Sequence, residues 1–237
     1  MAVLSTAAAA GEILELIRSG RASTRNEIRE ITGLSRSTLA ERLDALFRTG
    51  IVGEGPEQAS SGGRPPRTLR IEPDAFVVLA ADVGETRTRL CLVDLAGRVV
   101  DDVVGVLPID RGPRPVIDWI LDEGDRMRDA SGIPPARLLG IGIAVPAPVD
   151  FAAGEVVGPS VMTGWEGVAV RDLVGARADV PVVVENDVNA RGLGEVSGRD
   201  AEAEHILYVK AGTGIGSAII TGGALFRGSQ GSAGDIG

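Results

Sequence analysis

The chain has 237 residues, 44% of them hydrophobic, with 24 basic and 33 acidic side chains for a net charge of −9. This length and apolar share are enough for two cored domains, while the single cysteine, Cys91, excludes a disulfide framework and a thiolate metal cluster. The apolar start is interrupted by Glu12 and Glu15, has no basic segment ahead of it, and is followed by no run of membrane-spanning length, so a soluble cytoplasmic protein is expected.

Charge is unevenly distributed. Up to Ile71 there are 10 arginines against 8 acidic residues, and beyond it 14 basic against 25 acidic residues. An acidic body with a mildly basic head suits a protein that touches DNA with one end. The head reads as three helices and a hairpin. The first, Ala7 to Ser19, carries Ile13, Leu16 and Ile17 on one face and is stopped by Gly20. Thr24 and Glu27 stand in capping-box spacing for a second helix, Arg25 to Thr32, expected to bury Ile28 and Ile31. Gly33 makes a turn, and Ser35 caps a third helix with Leu39, Leu43, Leu46 and Phe47 at helical spacing. Its other face offers Arg36, Ser37, Thr38 and Arg42, side chains that hydrogen-bond base edges and phosphates, as a recognition helix requires. After Gly50, a stretch with a Gly/Ser/Pro tip reads as a β-hairpin wing whose Arg64 could enter a minor groove, or equally as a flexible linker. A small helical bundle for protein contact is the competing reading of the three helices.

From Phe76 the periodicity changes. A nearly continuous apolar strand ends in Asp82, Thr88 to Asp94 forms its hairpin partner, and Arg98 to Val106 follows the Ala96-Gly97 turn. Pro113 to Ala130 reads as a helix carrying Ile117, Ile120 and Leu121, and LLGIGIAV as another buried strand running toward Pro146. Hairpin-linked strands, a helix and a further buried strand define an α/β domain with a mixed sheet. Val184 to Asp187 ends a strand in a polar pair before a helix through Ala190 and Leu193.

Five segments carry a family resemblance: DVGETRTRLCLVD, GIGIAVPAPVD, GPSVMTGWEGVAV, PVVVENDVNARGLGE and KAGTGIGSAIITGGALFRGSQGSAGDIG. In this order and spacing the chain resembles the ROK group (repressors, open reading frames, kinases) of the actin-like sugar kinase fold, in the regulator branch with an N-terminal winged helix. The resemblance implies a winged helix-turn-helix over residues 1–74, a first actin-like lobe over 75–204, and the opening hairpin of a second, truncated lobe over 205–237. Family members continue beyond the equivalent of Gly237 into a histidine and a Cys-rich loop that bind zinc. No metal site is therefore expected in this chain, and zinc only in a longer version.

By the same resemblance, Asp82, Gly84, Thr86, Gly212, Thr213 and Gly214 form the nucleotide phosphate turns. Glu85 stands where kinases have a glycine, and its carboxylate and Cβ argue against ATP. Asn186 and Asp187 are implied sugar ligands, with Ser160 and Asp235 beside them, and Asp187 would be the catalytic base in a kinase. The structural alternatives are that Asp187 caps the next helix and that the glycines of the second phosphate loop make a tight hairpin turn. The expected function is a DNA-binding regulator of carbohydrate metabolism, a homodimer or higher homo-oligomer at full length, that senses a sugar or sugar phosphate. The alternatives are a glucokinase-like sugar kinase with an appended winged helix and a DNA-binding fragment without a working sensor.

Overall fold

The computed structural model describes residues 2–57, 67–158, 161–197, 205–212, 214–229 and 231–236. The chain divides into two compact units, one of residues 1–76 together with 94–98 and one of 77–93 together with 99–237.

The first unit holds helices α1 (Ala2–Arg18), α2 (Arg25–Thr32) and α3 (Arg36–Thr49), then the antiparallel pair β1 (Val52–Glu57) and β2 (Arg67–Ile71). Helix α1 begins earlier than the apolar spacing indicates, because the alanine run before Gly11 is itself strongly helix-forming. The capping box forms as the spacing requires. The Glu27 amide donates to the Thr24 hydroxyl, and the Glu27 carboxylate accepts from the Thr24 amide at 2.9 Å and the Ser23 amide at 2.7 Å. These bonds hold the Glu27 carboxyl below its usual range; the Ser23 amide contributes most, and partial burial opposes it. Gly33 ends α2 with φ at 67°, a left-handed conformation that a β-carbon would strain. Ile13, Leu16, Ile28, Leu39, Leu43 and Leu69 close the core. Ile31, expected in that core, is 46% exposed: the eight residues of α2 present only Ile28 inward.

The second unit is built on a five-stranded sheet in the order β5 (Val99–Val106), β4 (Arg87–Asp94), β3 (Val77–Val83), β6 (Leu138–Val145), β9 (Val182–Asn186). β4 pairs antiparallel with β5, while β3–β6 and β6–β9 are parallel, so this is a mixed sheet. Helix α4 (Pro113–Ala130) makes the crossover to β6, and the short α5 (Val170–Gly175) precedes β9. Both helices pack on one sheet face, joining Leu79, Leu90, Ile143 and Val184 to Ile117, Ile120 and Val174. Gly124 lets α4 approach closely, since a β-carbon there would lie 2.5 Å from Leu79. Between β6 and α5 lies the small ladder β7 (Val149–Asp150) and β8 (Glu155–Val156). Trp165, fully buried, donates its indole N–H to the Ile109 carbonyl at 3.0 Å.

Helix α6 (Asp187–Ser197) follows β9 directly, and a three-stranded sheet follows it: β10 (His205–Ala211), β11 (Ile215–Thr221), β12 (Ala224–Leu225). Gly192 brings α6 against this sheet, where an added β-carbon would lie 2.7 Å from the Ala218 methyl. On the other face of the sheet Leu207, Val209 and Ile215 are exposed.

Candidate functional site

Within the second unit a cavity of about 960 Å³ is bordered by the β3–β4 turn, the β9–α6 junction, the β10–β11 hairpin and the loop around Asp235. Of the residues the sequence points to, Asp82, Gly84, Glu85, Thr86, Asn186, Asp187, Gly214 and Asp235 all line it. Gly212 lies in the same β10–β11 turn, its amide donating to the Gly214 carbonyl at 3.1 Å. Ser160, Thr213 and Arg64 lie outside the described residues.

The β3–β4 turn is closed by the Gly84 amide donating to the Arg87 carbonyl at 2.8 Å. A β-carbon on Gly84 would sit 2.9 Å from that carbonyl, so the turn requires glycine even at an ordinary φ. The exposed Glu85 side chain borders the cavity at this turn, and its main-chain carbonyl is tied down by the Ile109 amide at 2.9 Å.

At the β9–α6 junction the capping group is Asn186, not Asp187. The Asn186 side-chain oxygen accepts from the amides of Val188 at 2.9 Å and Asn189 at 3.1 Å, two of the four orphan donors of the helix start. Its amide nitrogen donates to the Ala147 carbonyl at 3.1 Å, leaving one N–H for a ligand. Asp187 is thereby released from capping. Its buried carboxylate meets the Lys210 ammonium at 2.7 Å and lies 3.9 Å from the Arg191 guanidinium, which is itself bonded to Asp82 at 2.9 Å.

Beneath this lies Glu185, a further buried carboxylate. It accepts from the Asn186 amide and the Asn189 side chain, both at 3.0 Å, and from Arg227, whose guanidinium lies 3.9 Å from the centre of the Phe151 ring. The segment carrying Asp235 is fastened to β11 by the Ser217 amide (2.9 Å) and hydroxyl (2.8 Å), both donating to the Gly234 carbonyl. Sequence reasoning missed Glu185, Arg191, Lys210 and Arg227. Two of them left a signal: Arg191 stands four residues after Asp187 on one helix, and Lys210 interrupts the inward face Ile206–Tyr208 of an otherwise apolar strand. Among the described residues no group of three or more His, Cys, Asp or Glu side chains could hold a metal ion, and no helix is long and apolar enough to cross a membrane.

In the first unit, the start of α3 carries the candidate DNA contacts. The Ser35 hydroxyl accepts the Thr38 amide at 3.1 Å and hydrogen-bonds the hydroxyls of Thr38 at 2.8 Å and Ser37 at 3.0 Å. Ser35 and Thr38 are thus largely spent on the cap. Arg36 and Ser37 are exposed and Arg42 half-buried, and neither arginine makes an ion pair among the described residues. Two other arginines of the unit, Arg25 and Arg67, instead converge on Glu54 at 2.9 and 2.8 Å.

Residues 78–237 match the ROK family profile, and the chain belongs to the ROK family. It is 31% identical over 226 residues to the xylose repressor of Bacillus subtilis, covering 95% of this chain and 58% of the relative. A ROK family transcriptional regulator, a homolog of the E. coli MLC protein, shares its fold with a TM-score of 0.81 at 22% identity, over 96% of this chain and 58% of the other. A ROK family glucokinase from Streptomyces griseus, solved in complex with glucose and AMPPNP, matches 68% of this chain and 49% of its own length, at 27% identity and a TM-score of 0.59. The chain therefore spans a little over half the length of the repressor and regulator that it matches.

Proposed function

We propose that the protein is a transcriptional regulator of sugar metabolism, in which a winged helix-turn-helix head binds an operator and an actin-like domain senses a sugar. In this reading α2 and α3 are the helix-turn-helix, β1 and β2 the wing, and the cavity around Asp187 the effector site. The observation that carries it is the first turn of α3: exposed Arg36 and Ser37 stand beside a cap that consumes Ser35 and Thr38, while neighbouring arginines are held by Glu54. An arginine left without an acidic partner at the start of a helix is what phosphate and guanine recognition require. Similarity to a xylose repressor supports a pentose or hexose as effector. A sugar that favours one arrangement of the sensor would change the spacing of two heads in a homodimer, and operator symmetry would follow protein symmetry. Such a regulator works in the cytoplasm with no nucleotide.

The second reading is an ATP-dependent sugar kinase, favoured by Asp187 in the cleft and by the likeness to a glucokinase. Glu85 at the phosphate turn and Arg191 on Asp82 oppose it, since one repels phosphate and the other occupies a carboxylate that could hold a metal. The test is fluorescence anisotropy on a duplex selected from genomic fragments, with and without D-xylose or D-glucose, alongside an ATP-hydrolysis assay. Arg36→Ala should lose about 1–3 kcal/mol of affinity for the selected duplex. Undiminished binding by Arg36→Ala and Arg64→Ala would remove the head assignment, and sugar-dependent ATP turnover abolished by Asp187→Ala would favour the kinase.

A further inference from the structure

The ion pair between Lys210 and Asp187 sits in the cavity wall with bonding capacity left over on both sides. Lys210 lies on the face of β10 that turns toward α6, and its side chain is 32% exposed; the Asp187 side chain, at the start of that helix, is 6% exposed. An ammonium carries three N–H donors, and among the described residues one of them is used, toward Asp187 Oδ2 at 2.7 Å. The same oxygen takes the distant Arg191 contact, while Asp187 Oδ1 accepts no hydrogen bond among the described residues. A strong donor with N–H groups to spare therefore stands against a strong acceptor with a free oxygen, both at the border of one cavity.

Charge narrows the ligand class. Among the described residues four carboxylates and four cationic side chains line the cavity, and two of the cations, Lys210 and Arg191, are committed to Asp187 and Asp82. Among these residues charge is balanced, with no surplus positive charge to receive a phosphate ester, and burying an unpaired phosphate against Asp187 and Asp82 would be unfavourable. An uncharged polyol meets no such penalty. Its adjacent hydroxyls each donate and accept, and their spacing is close to that of an ammonium nitrogen and a carboxylate oxygen in contact.

Resting on the sugar-sensing reading above, we propose that Lys210 and Asp187 act as one diol-reading pair. Lys210 donates to one hydroxyl of an unphosphorylated sugar and Asp187 accepts from its neighbour, so that Lys210 is a ligand-binding and specificity-determining residue. Both Asp187 contacts are charge-assisted and made in a partly desolvated wall, where hydrogen bonds to ions are strongest.

The experiment is calorimetric titration of the protein with D-xylose, D-glucose, single-deoxy glucose analogues and glucose 6-phosphate, using wild type, Lys210→Met and Lys210→Gln. At least one uncharged sugar should bind wild type better than glucose 6-phosphate, and Lys210→Met should weaken it tenfold or more. Lys210→Gln, which keeps an amide donor and guards against a variant that fails to fold, should fall between them. One deoxy analogue should bind wild type as weakly as the parent sugar binds Lys210→Met and lose little more in that variant. A merely structural Lys210 would weaken every sugar alike, and that result overturns the proposal. Undiminished sugar binding by both Lys210 variants overturns it too but leaves sugar sensing intact; no binding of any panel member by wild type that still binds its duplex overturns both.

Discussion

Replacing Asn186 separates the two structural jobs that this residue performs at the edge of the cleft. Asn186→Ala removes the oxygen that caps α6 and the amide that ties the strand end to Ala147. Loss of a helix N-cap costs about 0.5–2 kcal/mol, and a lost hydrogen bond that leaves the carbonyl of buried Ala147 unpaired costs about 1–3 kcal/mol. The two losses share one side chain and do not add fully, so about 2–3 kcal/mol is expected for Asn186→Ala. Asn186→Asp keeps the capping oxygen and adds negative charge at a helix start, where it is favourable by about 0.3–1 kcal/mol, but points a carboxylate at the Ala147 carbonyl. It should cost about 1 kcal/mol, clearly less than alanine. Both tryptophans, Trp119 and Trp165, lie in the second unit, so urea unfolding followed by tryptophan fluorescence reads that unit alone. Equal destabilisation by alanine and aspartate, or a shift below about 0.5 kcal/mol for alanine, would refute the assignment of the cap to Asn186.

Gly192→Ala pits helix propensity, a gain of about 1 kcal/mol, against overpacking of about 1–3 kcal/mol. The new methyl would lie 2.7 Å from the Ala218 methyl, which cannot rotate away, so net destabilisation is expected in urea unfolding, and a more stable variant would contradict the packing of α6 on β11. Because the Glu27 carboxyl is held below its usual value of 4.5 in the folded head, its stabilisation is complete above that pH and is lost as pH falls through the lowered value. Amide exchange protection in α2 should therefore fall as pH drops below 4.5, and Glu27→Gln should flatten that decline; an unchanged profile would dismiss the capping carboxylate as its source.

What the sequence made legible is what local chemistry decides. Thr24 with Glu27, Gly33 and Ser35 act on residues within one turn of themselves, and the structure places each where its spacing indicates. Helix α4 runs from Pro113 to Ala130 as read, because Pro113 sets its first turn and its apolar stripe is continuous. The choice between Asn186 and Asp187 as cap was beyond that reach, since both side chains can cap and the answer depends on β9 keeping its ladder through Asn186. Ile31 misled because an apolar residue at helical spacing is buried only if a partner stands opposite it. The polar links of the cleft lie further out still, with Arg191 bonded to Asp82 109 positions away and Arg227 to Glu185 42 positions away. Pairing at that distance is a property of the sheet order, which brings the ends of β3 and β9 to one edge of the cavity, and not of any local pattern.

These links change what Asp82 and Asp187 can do. Each looked in sequence like a bare carboxylate awaiting a ligand, and each carries a cation: Arg191 on Asp82, Lys210 on Asp187. A carboxylate in contact with an ammonium remains a good hydrogen-bond acceptor, and the contact fixes the direction in which its remaining lone pairs point. Glu185 extends the same restraint, fixing the Asn186 amide from below while Arg227 ties it to the segment that leads to Asp235. A ligand entering this cavity therefore finds acceptors and donors already held in place by partners on different strands. Under the regulator reading proposed above, less of the binding energy goes into ordering these groups, and more of it is left to favour one arrangement of the domain over another.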